Sequence, residues 1–120
     1  MKRDMDLIRQ ILLKIESSDE TLYHFGVCGY QQTEVDYNLE LLILGRLVNG
    51  QLNRPITGGI NPAVHGLTWD GHDLLDSIRS ESIWEKTKDY LKARDLQNVP
   101  FEVLTKVLVS IISKQAGIDD

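Results

Sequence analysis

The spacing of apolar residues along the chain predicts five helices. Over residues 4–16, apolar side chains recur at three- and four-residue intervals, which is typical of a helix with one buried face. The next predicted helix, about 34–45, has apolar residues around most of its circumference, so we expect burial on more than one side. The same spacing predicts three later helices, over about 69–80, 83–94 and 100–115.

Two regions of the chain predict β-structure. Residues 22–28 (LYHFGVC) are rich in aromatic and β-branched side chains and predict a short strand. Residues 47–53 and 63–68 predict an antiparallel hairpin, because the tip between them contains two prolines and a pair of adjacent glycines. The expected fold class is mainly α with a small antiparallel β-hairpin or sheet (α+β). The element order favours an abbreviated winged-helix-like core, about 4–80, followed by C-terminal helices over about 82–116.

Polar residues and glycines predict where the helices begin and end. Asp4 lies where the first helix would start, and a carboxylate is favourable at that position. Gly45 is placed to end the second helix, and Pro100 suits the first turn of the last one. The predicted N-caps of three later helices are Thr33, Thr68 and Ser82.

The composition indicates one globular domain with an acidic balance. The chain has 120 residues, of which 42% are hydrophobic and 26% charged, so we expect a single domain over 1–120. The formal charge of −5 counts against nucleic-acid binding as a property of the whole chain, because phosphate neutralisation requires basic residues. Cys28 has no second cysteine to pair with, which favours a reducing compartment. No aliphatic run is long enough to span a bilayer, so we expect a cytoplasmic protein without a membrane partner.

Four sequence motifs distributed along the chain are specific when they are taken together. In order they are MKRDMDLIRQILLKIE, GYQQTEVDYNLELL, LTWDGHDLLDSI and VPFEVLTKVL. Together they resemble an uncharacterised family of short bacterial and prophage-encoded proteins, domain of unknown function 2513, over nearly the whole chain. The resemblance implies a bacterial or bacteriophage origin and a winged-helix-like core. It implies no activity and carries over no catalytic residue.

One functional interpretation is a DNA-binding regulator, in which the second helix enters the major groove and the hairpin acts as a wing. Across residues 31–48, however, three acids stand against Arg46 alone, and carboxylates repel phosphates. The acids are also explained as the solvent-facing side of a central buried helix. The candidate nucleic-acid contacts are Gln31, Gln32, Thr33, Asn38, Arg46 and Arg54.

The sequence predicts neither a metal site nor a catalytic site. His24 and Cys28 have a spacing that would suit a helix, but on a strand they lie too far apart to bind one ion. Nothing in the sequence sets a nucleophile beside a base and an orienting acid. We therefore expect no enzyme, no cofactor and no small-molecule substrate. A second group that is close in sequence but matches no ligand motif comprises His65, Asp70, His72 and Asp73.

Two residues after the hairpin are predicted to be structural. Trp69 is expected to pack its indole in the core and to anchor the hairpin to the next helix. Gly71, in the first helical turn, would let that anchor approach closely. The wide apolar faces of the second and last helices leave both self-association and a closed monomeric core open. The expected function is a non-enzymatic interaction or accessory domain; a winged-helix DNA-binding transcriptional regulator is the alternative.

Overall fold

The computed structural model of the chain describes residues 1–96 and 99–117. Within these residues the chain forms helices and one two-stranded antiparallel sheet, which confirms the predicted fold class. None of the described helices combines the length and the apolar character needed to cross a bilayer. The elements are α1 (Met5–Glu16), α2 (Gln32–Leu44), β1 (Val48–Asn53), β2 (Asn61–Leu67), α3 (Trp69–Ile78), α4 (Glu81–Ala93) and α5 (Phe101–Gln115).

The chain divides into two compact units, Met1–Asp73 and Leu74–Asp120. The division falls inside α3, whereas the sequence placed the end of the core after this helix, at about 80–82. The prediction of a single domain over 1–120 stays a prediction. Each unit is described by itself below, and the residues that carry the functional argument all lie in the first.

Helix α1 supplies one side of the core of the first unit. Asp4 is its N-cap, as predicted, and accepts a hydrogen bond from the Leu7 amide at 3.1 Å. The helix packs against α2 and against β2. Its apolar stripe is buried and consists of Leu7, Ile8, Ile11, Leu12 and Ile15.

Helix α2 is buried on more than one side, because it packs against both α1 and β1. The predicted N-cap at Thr33 is wrong. Gln31 is the N-cap, and its backbone amide donates to the Glu34 carboxylate at 3.2 Å. Thr33 therefore lies two residues later, inside the first turn. The buried positions of the helix are Val35, Asn38, Leu39 and Leu42.

A single residue from a distant part of the chain, Leu22, pairs with the outer edge of the hairpin of β1 and β2. Leu22 and Val64 exchange backbone hydrogen bonds of 2.9 and 2.7 Å, which form an isolated antiparallel bridge on the outer side of β2. The predicted strand over 22–28 is therefore wrong beyond Leu22. Gly29, with a φ of 90°, lies inside a turn that the Tyr30 amide closes by donating to the Val27 carbonyl at 3.2 Å, and this turn leads the chain towards α2.

The second unit contains helices α4 and α5, which pack against each other. Helix α4 begins earlier than predicted. Ser80, not Ser82, is its N-cap, because Ser80 has extended backbone and its hydroxyl accepts from the Ile83 amide at 3.3 Å. Tyr90 of α4 is exposed. The buried residues of these two helices are Ile83, Trp84, Thr87, Leu91, Leu104 and Leu108.

Candidate interaction surface

The N-terminal end of α2, where DNA contacts were predicted, has its polar groups occupied by neighbours. The Gln32 side-chain amide donates to the Phe25 carbonyl and to the Asp36 carboxylate, both at 2.8 Å. His24 Nε2 lies 2.9 Å from the same Asp36 oxygen. Gln32 Nε2 also lies 3.1 Å from His24 Nε2, but both of its hydrogens are already donated to Phe25 and Asp36. Because a carboxylate only accepts, His24 Nε2 is the donor in its bond to Asp36. These bonds fasten the loop before α2 to the helix.

All three acids of α2 are engaged in the same way. Glu34 accepts from the Gln31 amide, Asp36 from His24 and Gln32, and Glu40 pairs with Arg54 of the hairpin tip. Glu40 therefore repels a polyanion less than the sequence suggests, because the Arg54 cation lies against it. The same pairing also occupies Arg54, the predicted wing contact, so its nucleic-acid role stays a prediction.

Asn38 is not on the surface and cannot contact a nucleic acid in this fold. It is 1% exposed. Its side-chain oxygen accepts from the Asp4 amide at 2.9 Å, and its side-chain nitrogen donates to the Glu34 carbonyl at 2.9 Å. The prediction for this residue is therefore wrong, because its amide links the start of α1 to α2. Gln31, Gln32, Thr33, Arg46 and Arg54 are exposed.

The hairpin presents an exposed polar face without acidic residues. Side chains alternate along β1, so that Asn49, Gln51 and Asn53 are exposed while Val48 is buried. The whole segment from Leu41 to Trp69 lacks aspartate and glutamate, although the chain is acidic overall. This face is amide-rich and its own segment carries no acid, although Glu40 of α2 pairs with Arg54 at the tip. It is the surface feature most compatible with the alternative DNA-binding interpretation.

The candidate metal and catalytic residues are not brought together. No group of three histidine, cysteine or acidic side chains within 1–96 and 99–117 has the geometry to hold a metal ion. His24 is bonded to Asp36, and among the described contacts no hydrogen bond joins it to Cys28, which is exposed. His65 instead lies 3.4 Å from the hydroxyl of Thr21. The prediction that the chain is not an enzyme stays a prediction.

The junction between α2 and α3 is held by backbone geometry. At the end of α2 the amide of Arg46 donates to the Ile43 carbonyl at 3.1 Å, and that of Leu47 donates to the Leu42 carbonyl at 2.9 Å. This is a Schellman-type helix end. Its left-handed residue is Arg46, with a φ of 60°, whereas the predicted terminator Gly45 has a φ of −78°.

Thr68 ties the start of α3 to this helix end. Its amide donates to the Leu47 carbonyl at 3.1 Å, and its hydroxyl donates to the Arg46 carbonyl at 2.7 Å. The hydroxyl also accepts from the Gly71 amide at 3.0 Å, which confirms Thr68 as the N-cap of α3. Gly71 is buried, and a Cβ at this position would overlap the Leu47 carbonyl oxygen. The close approach at Gly71 is therefore to the Leu47 backbone, and not that of the Trp69 anchor which the sequence predicted.

Trp69 is not the core anchor that the sequence suggested, because it is 83% exposed. Helix geometry explains the correction, since Trp69 lies on the opposite side of α3 from the buried Gly71. Leu44, the last residue of α2, is 66% exposed. Arg46 and Asp70 are also exposed, and neither is in an ion pair with any other described residue. We call Leu44, Arg46, Trp69 and Asp70 the junction surface.

Sequence reasoning missed the junction surface because it treated a tryptophan as a core residue. The signal was present in the helical phase. Gly71, Leu75 and Ile78 share one side of α3, which places Trp69 on the other. Leu44 is out of phase with the buried positions of α2 in the same manner.

Comparison with known proteins places this chain in a family. No solved structure gives a significant match. A protein of Haemophilus influenzae described as "Uncharacterized protein" is 34% identical over 117 residues, which is 95% of this chain and 98% of that protein. The model of the family described as "Hypothetical protein (DUF2513)" matches residues 2–97. Neither description mentions a winged helix or a prophage, so those two expectations stay predictions. The family resemblance seen in the sequence is confirmed: the chain belongs to the DUF2513 family.

Proposed function

We propose that this protein is a non-enzymatic protein-interaction domain that binds its partner through the junction surface. The observation that carries the proposal is the 83% exposure of Trp69. An indole in water leaves a large apolar area unburied, and tryptophan is among the residues that contribute most to binding energy at protein interfaces. Leu44, two residues before Arg46 at the end of α2, is a second exposed apolar side chain at this helix end.

The backbone beneath the junction surface supports this function. Trp69 lies between Thr68, which caps the helix and bonds to Arg46, and Gly71, which contacts the Leu47 backbone. Because this frame is fixed before binding, little backbone entropy is lost when a partner docks. An exposed tryptophan on such a frame is suited to act as an anchor rather than as a mobile surface side chain.

The proposal is tested by crosslinking in cells that produce the protein. A photoreactive amino acid replaces Trp69 or Leu44 in separate variants, and Gln10, exposed on α1, serves as the control position. We expect the same crosslinked protein from positions 69 and 44 and none from position 10. We also expect the product at position 44 to disappear when Trp69→Ser is added. Equal yields at all three positions would overturn the proposal.

The alternative function is that of a winged-helix DNA-binding transcriptional regulator. It is supported by the Leu22–Val64 bridge, which gives the helix, strand, helix, hairpin order expected of a winged-helix-like core. The hairpin face without acids is compatible with it. Against it stand the ion pair of Arg54 with Glu40 and the buried position of Asn38. The interaction domain is therefore preferred.

Fluorescence anisotropy of labelled duplex DNA at low and moderate salt separates the two functions. A regulator would bind tightly with a steep salt dependence, and Arg54→Ala would weaken binding and reduce the salt slope by about one. Under our proposal, no binding beyond weak nonspecific association is seen at low salt. A tight complex that responds to Arg54→Ala but not to Trp69→Ser would favour the regulator.

A further inference from the structure

We propose that the partner of the junction surface is a second copy of this chain, bound about a twofold axis. This inference rests on the proposed function and adds the identity of the partner. In a twofold interface the same patch is contributed by both copies, so the patch must be complementary to itself. The junction surface meets this requirement in its apolar residues and in its charges.

The charges of the junction surface are one cation and one anion. Arg46 follows the end of α2, and Asp70 directly follows Trp69 in the first turn of α3. Neither is in an ion pair with another described residue, so both are available to a partner. In a face-to-face dimer, Arg46 of one copy would meet Asp70 of the other, and symmetry would make this pair twice around the apolar centre of Leu44 and Trp69.

Other partner classes fit this charge arrangement less well. A nucleic acid would be repelled by Asp70 beside the anchor tryptophan, and a strongly basic partner would be repelled by Arg46. The next acid on α3, Asp73, already has an interaction within the chain. Glu40 is paired with Arg54, so it does not change the balance of charges at the junction. A second copy supplies an aspartate for Arg46 and an arginine for Asp70, so it neutralises both charges.

The test is a charge exchange measured by sedimentation equilibrium of the purified full chain over a wide concentration range. Arg46→Asp and Asp70→Arg each replace an attractive pair by a repulsive one at two symmetric places. Each is therefore expected to raise the dissociation constant of the dimer about tenfold. The double variant R46D/D70R restores the ion pair with its charges exchanged. Its dissociation constant is expected to lie within about threefold of that of the original chain. Aspartate tolerates the left-handed backbone of position 46, so the first change adds little strain.

Two further variants complete the design. Trp69→Ser is expected to weaken dimerisation about thirtyfold or more, since it removes the anchor from both copies. Lys92→Asp reverses an exposed charge on α4 and, as the matched control, leaves dimerisation unchanged. Circular dichroism of each variant establishes that the helices are retained, so that a lost dimer is not confused with a lost fold.

Three results would overturn the inference. The first is a chain that stays monomeric at all concentrations. The second is a dimer insensitive to Trp69→Ser, which would lie on another surface. The third is a double variant that fails to recover what the single reversals lose, which would remove the pairing of Arg46 with Asp70. If a monomeric chain still crosslinks to a different protein from positions 44 and 69, the proposed function survives and only the self-association fails. If no product forms, both fail.

Discussion

The two ends of helix α2 differ in how their side chains are used. At the N-terminal end, Gln32 and Asp36 hydrogen-bond to the preceding loop, and Asn38 bonds to the start of α1. At the C-terminal end the backbone is bonded throughout the junction, but the side chains of Leu44 and Arg46 face solvent. The exposed Trp69 of α3 directly follows Thr68, which is bonded to this helix end.

This difference separates internal structure from candidate function. Where polar groups are satisfied within the chain, their role is to hold elements together, and a partner gains little by competing with them. Where the backbone is fixed while large apolar side chains are left exposed, binding a partner costs little order and buries apolar area. Among the predicted DNA contacts, Gln32, Asn38 and Arg54 lie in the first class. The junction surface, which includes Arg46, lies in the second.

The largest effect is expected from breaking the backbone frame of the junction. Gly71→Ala would ordinarily stabilise a helix interior slightly, but here the added methyl overlaps the Leu47 carbonyl oxygen. We expect the free energy of unfolding to fall by about 3 kcal/mol in urea denaturation. Gly26→Ala is the control with a smaller change, because its added methyl would meet only the Gln32 side-chain oxygen, at 3.3 Å. A stabilised Gly71→Ala variant would contradict the close approach.

The next effect tests the internal bonding at the other end of α2. Asn38→Ala leaves the Asp4 amide without its acceptor in a partly buried place, so we expect a loss of about 2 kcal/mol in the free energy of unfolding. Thr33→Ala, on the exposed side of the same helix, should change it by less than about 0.5 kcal/mol. Similar losses for the two variants would mean that Asn38 does not join α1 to α2.

A smaller effect, of opposite sign, is expected at the helix end. Arg46 has a left-handed backbone that costs energy for a residue with a Cβ. Arg46→Gly should therefore raise the free energy of unfolding by about 0.5 to 1 kcal/mol. Arg46→Ala keeps the strain and should show no gain in the same urea experiment. The glycine variant would also lack the cation that we assign to the dimer, so it should be more stable as a monomer and weaker as a dimer.

The smallest effect on folding is expected at Trp69. In dilute protein, Trp69→Ser should change the free energy of unfolding by less than about 0.5 kcal/mol, because little of this side chain is buried in the monomer. Trp84, which is 3% exposed, is the contrast: Trp84→Ala should cost about 3 kcal/mol or more. Equal losses at both positions would restore the original prediction that Trp69 is a core anchor.

The fold could largely be predicted from the sequence because helix and hairpin patterns are local. The stripe of α1, the hairpin and the Thr68 cap all depend on residues close together in the chain. The caps of α2 and α4 were misplaced by two residues because each start offers two polar candidates. Tertiary contacts decide which of them takes extended backbone, as Gln31 and Ser80 do.

The candidate site was harder to predict for a different reason. The strand after α1 was overextended because local composition does not reveal that pairing is confined to Leu22. Asn38 was assigned to the surface because a helix buried on two sides has no clear polar face. The exposure of Trp69 follows from helical phase, but average burial of tryptophan favoured the opposite reading.

The bridge between Leu22 and Val64 also bears on how the protein avoids aggregation. A strand edge with free backbone groups is a template on which another chain can add a strand. Leu22 covers the outer edge of β2 near its middle through two hydrogen bonds, although it is contributed by a distant segment. Local opening of the segment before α2 would uncover that edge while the hairpin stays formed. Hydrogen exchange at the Leu22 and Val64 amides therefore reports the free energy of the local opening that exposes this strand edge.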